Sequence, residues 1–133
     1  MRKIKLTVAY DGTDFCGWQS QPGQRTVQGT LEVAAERVVG AAVEIIGSSR
    51  TDSGVHALGQ VAHFETASAL DAATLARAIN AYLPDDVQVL AGEEAAADFH
   101  AIGSTIRKRY RYVLHDGALA PLFRRRYVWH VRR

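Results

Sequence analysis

Lys3-Ile4-Lys5-Leu6-Thr7-Val8-Ala9-Tyr10 sets Ile4, Leu6, Val8 and Tyr10 on one side of an extended chain and Lys5, Thr7 and Ala9 on the other. This period-two pattern is that of a strand with one buried face. A loop rich in Gly, Asp and Gln follows through Arg25. Thr26 can then cap a helix whose Val27, Leu31, Ala34, Ala35 and Val38 share one face before Gly40 ends it. Val43–Gly47 reads as a short second strand and Gly59–Glu65 as a third, with Gln60, Ala62 and Phe64 on one side. Asp71 is a good N-cap for a second helix that carries Leu75, Ile79, Tyr82 and Leu83 inward, and Pro84 stops it. Val87–Leu90 predicts a fourth strand, Ile106–Leu114 a fifth and Tyr127–Val131 a sixth.

Up to the fourth strand the order is β-α-β-β-α-β, which makes the expected class α+β and ferredoxin-like. Both helices pack on one face of an antiparallel sheet in that motif, and the other face is left for a ligand. The later strands extend the sheet, and the acidic, alanine-rich Gly92–Ala97 stretch is expected to be at most a surface excursion. The 133 residues read as one domain, since that length leaves little room for a second core. There is no internal repeat or low-complexity tract, so function has to come from sites.

Composition narrows the possibilities. The chain is 47% apolar and 23% charged, ordinary for a globular protein, and no apolar run approaches the roughly 20 residues that span a bilayer. Met1-Arg2-Lys3-Ile4-Lys5 mixes charge with apolar residues and does not lead into a secretory signal, so a cytoplasmic location is expected. Cys16 is alone and cannot form an internal disulfide, in keeping with a reducing compartment. The net charge of +2 conceals an asymmetry: Arg107, Lys108, Arg109, Arg111, Arg124, Arg125, Arg126, Arg132 and Arg133 are opposed only by Asp116, while everything upstream is net acidic. Such a basic end suits a polyanionic partner, the bland alternative being a solvated charged face.

The stretch that carries chemistry is Ser49-Arg50-Thr51-Asp52-Ser53-Gly54-Val55-His56, a polar loop between two strands. Loops held by rigid strands are where catalytic groups tend to sit. Ser53 and Gly54 permit a tight turn beside the Asp52 carboxylate, and Arg50, two residues earlier, projects to the same side if the chain is extended there and can hold that carboxylate ionised. Taken alone, an Asp-Ser-Gly is more often just an Asx-turn.

In Arg50-Thr51-Asp52-Ser53-Gly54-Val55-His56-Ala57, continuing into Gly59-Gln60-Val61 and His63-Phe64, the sequence closely resembles the active-site signature of the tRNA pseudouridine synthase A family. Tyr10-Asp11-Gly12-Thr13 with Phe15 and Gly17-Trp18-Gln19 is similar to the family's first motif, and Phe99-His100-Ala101 and Arg109-Tyr110-Arg111-Tyr112 are similar to its later ones, in the same order and spacing. Ser53 stands where the family usually has alanine. The resemblance implies the pseudouridine synthase fold, with Asp52 as the essential carboxylate, Arg50 as the arginine that pairs with it and helps displace the target base, and Tyr110 as the tyrosine that stacks on uracil. It also implies tRNA as partner, uridines of the anticodon stem-loop as targets, and a homodimer.

Pseudouridine formation breaks the bond from uracil N1 to the sugar, turns the base and rejoins it through C5, with no net gain of atoms. No cofactor or metal is required, and none is expected here: there is no Walker loop, no dinucleotide-binding glycine pattern and no paired cysteines, and the five histidines lack metal-ligand spacing. A carboxylate beside the anomeric carbon can attack sugar or base, or remove a sugar proton, and the sequence does not choose among these. If 106–114 is a strand, Tyr110 and Tyr112 share one face and Arg109 and Arg111 the other, with Tyr112 packing beside Tyr110. Phe15 and Trp18 could touch RNA or anchor their loop to the body. RNA contacts are assigned to Arg107, Lys108, Arg109 and Arg111.

Two other readings compete. Asp-Ser-Gly also marks retrovirus-type aspartic peptidases, but these reach the Asp through an apolar strand, whereas Arg50 and Thr51 precede it here and Ile45-Ile46-Gly47 lies upstream. A ferredoxin-like module that binds RNA without turnover is the second. Members of the resembled family are about twice as long, and Trp129-His130-Val131-Arg132-Arg133 ends in what looks like the middle of an element. The expectation is therefore an N-terminal half, inactive by itself.

Overall fold

The computed structural model describes residues 1–132, so Arg133 lies outside the described residues. Strands β1 (Arg2–Tyr10), β2 (Ile46–Gly47), β3 (Ala57–Thr66) and β4 (Val87–Ala95) form one antiparallel sheet in the order β2-β3-β1-β4. Helix α1 (Val27–Val39) connects β1 to β2, and α2 (Ala72–Asn80) connects β3 to β4. Each β-α-β unit is thus split by one strand of the other, which is the expected ferredoxin-like arrangement. A separate parallel pair, β5 (Leu114–His115) with β6 (Trp129–His130), follows.

The first strand does what its alternation demands. Ile4, Leu6, Val8 and Tyr10 are buried, and opposite them in β3 lie Phe64, Ala62, Gln60 and Ala57. Leu31, Ala34 and Ala35 of α1 and Leu75, Ala76 and Ile79 of α2 close the same core. Both helices start where their caps predict: Thr26 Oγ1 accepts from Gly29 N at 3.2 Å, and Asp71 Oδ1 from Thr74 N at 2.7 Å.

Several expected boundaries shift, each for a local reason. Helix α2 ends at Asn80, not beside Pro84, and Tyr82 is 51% exposed instead of inward, while Leu83 packs against the core. Asn80 instead turns its amide to β4, donating to Val89 O and accepting from Val89 N, both at 2.8 Å. The second strand keeps only Ile46 and Gly47, because α1 takes the backbone of the preceding residues. Glu36 accepts from Val43 N, Glu32 from Ile45 N, and Gln28 donates to Ile45 O. The acidic Gly92–Ala95 segment is part of β4, not an excursion; Lys5 pairs with Glu93 across the ladder, and opposite charges at a cross-strand pair favour it.

The largest correction concerns Ile106–Leu114, expected as a strand. Only Leu114 and His115 are strand, and of Tyr127–Val131 only Trp129 and His130. Among the described residues no strand pairs with 106–112, and Ile106 is 98% exposed; strand propensity is realised only by packing against neighbours. Before that segment the chain returns across the sheet face opposite the helices, where Ala101 is buried and donates its N–H to His63 Nδ1 at 3.0 Å, and Lys3 Nζ donates to Phe99 O at 2.6 Å. The free face is therefore partly covered.

Candidate active site

Asp52 sits in a turn between β2 and β3, closed by Val55 N donating to Asp52 O at 3.1 Å. Gly54 takes φ 82°, the left-handed conformation a residue without a Cβ adopts freely, as the Asp-Ser-Gly pattern leads one to expect. The turn rests on the loop that follows β1. Trp18 N donates to Thr51 O at 3.0 Å and Gly54 N to Phe15 O at 3.3 Å, so the two loops are stitched on either side of Asp52. Their approach is close enough to exclude side chains: a Cβ on Gly12 would stand 2.0 Å from Val55 O, and one on Gly17 2.7 Å from Thr51 O.

This settles the two readings of Phe15 and Trp18. They are 3% and 2% exposed, so they anchor the loop to the body. Trp18 lies over Gly47, where a Cβ would be 2.6 Å from its indole. Outside, the Arg25 guanidinium covers the Phe15 ring at 4.0 Å and grips Asp86 with two bonds of 2.8 and 2.9 Å, which hold the Asp86 carboxyl below its usual range.

The carboxylate of Asp52 itself is exposed, and among the described residues no hydrogen bond or ion pair engages its side chain. Arg50 is exposed too and forms no ion pair with it within 4.0 Å, so the pairing expected from an extended chain is not made in this structure. Thr51 and Val55, on either side of Asp52, line a cleft of about 970 Å³ between the sheet and residues 105–113. Arg107, Lys108, Arg109, Tyr110 and Arg111 line it as well. Without a regular strand there is no division into a tyrosine face and an arginine face; all four basic residues border the same space as Tyr110. The Tyr110 ring is 65% exposed, and its hydroxyl lies 3.3 Å from Ser49 Oγ, on the same side as the Asp52 turn. Tyr112, expected beside it, is 81% exposed and does not pack there.

Two buried groups support this wall. Gln60 donates to Ser49 O at 2.6 Å and accepts from Ser48 Oγ at 2.9 Å. The Tyr10 hydroxyl meets Thr51 Oγ1 at 2.7 Å, and burial pushes its pKa up, keeping it a neutral phenol next to Asp52's neighbour. A third group was not singled out from sequence. Asp11 accepts from Thr13 N and Oγ1 and from the Tyr127 phenol, and these donors, the Thr13 hydroxyl foremost, pull its pKa down to about 2. Its Oδ1 lies 3.2 Å from His56 Nδ1. Tyr127 comes from 116 residues away in sequence, and no local signal joins it to Asp11.

The profile of the tRNA pseudouridine synthase family matches residues 6–102, which run from the middle of β1 past the end of β4 and include every residue of the stitched turn. The chain belongs to this family. It is 52% identical over 97% of its length to tRNA pseudouridine synthase A of Maridesulfovibrio salexigens, covering 48% of that relative. Identity is also 52% over 97% of the chain to the protein of that name from Latilactobacillus sakei, of which 52% is covered. With tRNA pseudouridine synthase A 2 of Clostridium perfringens it is 46% over the whole chain and 54% of the relative. The chain spans about half the length of the curated relatives it matches. The α+β fold described above is the one the family membership implies, and no helix among the described residues is long and apolar enough to cross a membrane.

Proposed function

We propose that this chain carries the catalytic carboxylate of a tRNA pseudouridine synthase, and that Asp52 is that carboxylate. One observation carries the reading: among the described residues an exposed, unshared carboxylate is held by main-chain bonds beside a cleft that contains an accessible tyrosine ring and five cations, Lys5 among them. In the reaction the N1–C1′ bond of uridine breaks, the base turns and a C5–C1′ bond forms; the C5 proton leaves to solvent and N1 regains one. Asp52, free of internal partners, is available at the anomeric carbon to stabilise the charge that develops or to react there.

The rest of the cleft answers the energetic problem of reaching a stacked base. Extruding the base costs roughly a few kcal/mol, and stacking on one aromatic ring such as Tyr110 returns about 1–3 kcal/mol. The balance falls to contacts with the RNA backbone from Arg107, Lys108, Arg109 and Arg111, and to Arg50 moving into the gap left in the stack. The choice of anticodon stem-loop uridines, a homodimeric assembly and a cytoplasmic setting belong to the same proposal, and their support is the family likeness alone.

The test uses tRNA tritiated at uridine C5, because substitution at C5 must release that label. Residues 1–133 are assayed alone and as a chimera in front of the second half of the Maridesulfovibrio salexigens relative. Release by the chimera, and its loss in Asp52→Asn, is expected, with the shorter chain inactive. Undiminished release by Asp52→Asn would refute the assignment of the carboxylate.

A further inference from the structure

His56 borders the cleft at its Tyr127 side but has no part in the chemistry proposed for it. Its Nδ1 accepts from Gly12 N at 2.9 Å and its Nε2 donates to Arg126 O at 2.8 Å, so one ring ties the loop after β1 to a segment seventy residues beyond His56 itself. Tyr127 completes the bridge: its ring lies 5.0 Å from the imidazole, and its hydroxyl donates to Asp11 Oδ2 at 2.6 Å. The segment fastened in this way is Arg124-Arg125-Arg126, three adjacent cations that are all exposed. Among the described residues none of the three guanidiniums meets a carboxylate; Arg125 donates to Leu122 O instead.

An arginine run on a surface is ordinarily just solvated. This one differs because its backbone is pinned, through His56, four residues from Asp52. Like charges in a row repel, and a fixed backbone cannot spread them apart, whereas a polyanion turns the same arrangement into an advantage with less ordering left to do on binding. Guanidinium forks match phosphate oxygens, and the neighbouring cleft already carries cations of the same sign.

We propose that Arg124–Arg126 form a strap that binds RNA backbone phosphates next to the reacting nucleotide, and that His56 is the positioning residue that holds the strap there. The proposal rests on the reading of the Asp52 turn as the RNA-modifying site. It differs from the assignment of Arg107, Lys108, Arg109 and Arg111 in that its geometry depends on a specific imidazole.

The experiment measures tRNA binding by the chimera between 50 and 200 mM salt. Each phosphate contact contributes about 0.7–0.9 to the slope of log K against log salt, so Arg124→Gln/Arg125→Gln/Arg126→Gln is expected to flatten it by about two. His56→Ala should flatten it less, and in that background the triple substitution should have less than half its original effect. A merely structural role for His56 would lower affinity without that coupling. Tyr127→Phe, which removes only a hydroxyl, repeats the test should His56→Ala fold poorly. A slope untouched by the triple substitution, or a triple effect of the same size with and without His56, overturns the proposal. If that happens while tritium release still requires Asp52, the strap alone fails; if release does not require Asp52, the reading beneath it fails as well.

Discussion

Replacing Gly12 by alanine adds one methyl group at the point where the loop after β1 meets the Asp52 turn. That carbon would stand 2.0 Å from Val55 O, 2.6 Å from Val55 C and 3.1 Å from Gly54 C. All three obstacles are backbone, so no rotamer change can clear them. To bring the nearest contact from 2.0 Å to an ordinary separation of about 3.4 Å the turn has to retreat by more than 1 Å, and it is tied down by Trp18 N to Thr51 O and Gly54 N to Phe15 O. Overpacking of this kind costs about 1–3 kcal/mol, and rigid obstacles place Gly12→Ala at the upper end. A displacement of about 1 Å beside the reacting group costs on the order of 100-fold in rate. Urea unfolding of the 133-residue chain reads the first quantity, and tritium release by the chimera, well below its melting temperature, reads the second. Gly59→Ala is the control: its Cβ would find only Thr7 Cγ2 at 3.6 Å, and a stability change within about 0.5 kcal/mol is expected. Gly12→Ala with stability and turnover both like the control would refute the idea that close backbone contact positions Asp52.

Two further outcomes test the frame. Asn80→Ala strips Val89 of both partners where β4 shifts register against β1, and should cost about 1–3 kcal/mol in urea unfolding; Asn80→Asp keeps an acceptor but loses the donor to Val89 O, and should not restore it. The Asp11 carboxyl is depressed to about 2 from an ordinary 3.8. A depressed acid adds stability above the unfolded value, and that contribution fades as pH falls from about 4 towards 2. The carboxylate is one-third exposed, so screening reduces the worth of the shift to about 1 kcal/mol. Asp11→Asn should lose about that much at pH 6 and little at pH 2.5, and Tyr127→Phe should lie between; an equal loss at both pH values would show that hydrogen bonding to the charged form is not the cause.

What could be read from the sequence was whatever is encoded locally. The alternation of Lys3–Tyr10 and the caps of the two helices needed only near neighbours, and the strand and both helix starts stand where those signals put them. The same logic misled at Ile106–Leu114, where alternating arginines and tyrosines imitate a strand but, among the described residues, a second strand pairs only with its end, Leu114 opposite Trp129. It misled in the opposite sense at Gly92–Ala95, where acidic residues looked like a loop until Lys5 was placed across from Glu93. The candidate site was legible at Asp52 and Tyr110 through motif resemblance. It was opaque at His56, Asp11 and Tyr127, whose contacts join segments 44 to 116 residues apart.

The arrangement around Asp52 also explains why so much of the motif before it is buried. If Asp52 is the reacting group, as proposed above, it has to keep its lone pairs free, so the side-chain hydrogen bonds that usually fix an aspartate are not available to it, and a bond to Arg50 would compete with a ligand. Precision then has to come from the main chain on either side, and a turn of a few residues cannot supply it alone. Here the supply comes from Phe15 and Trp18, which offer backbone groups at fixed positions because their rings are locked in the core and under Arg25. Gly12 and Gly17 let that shelf approach closely enough for the bonds to form. Asp11 offers the contrast. Its oxygens are taken by Thr13 and Tyr127, and it is rigid but has little left to offer a ligand. Of two aspartates on adjoining loops, the fully bonded one is suited to holding structure and the unbonded one to chemistry.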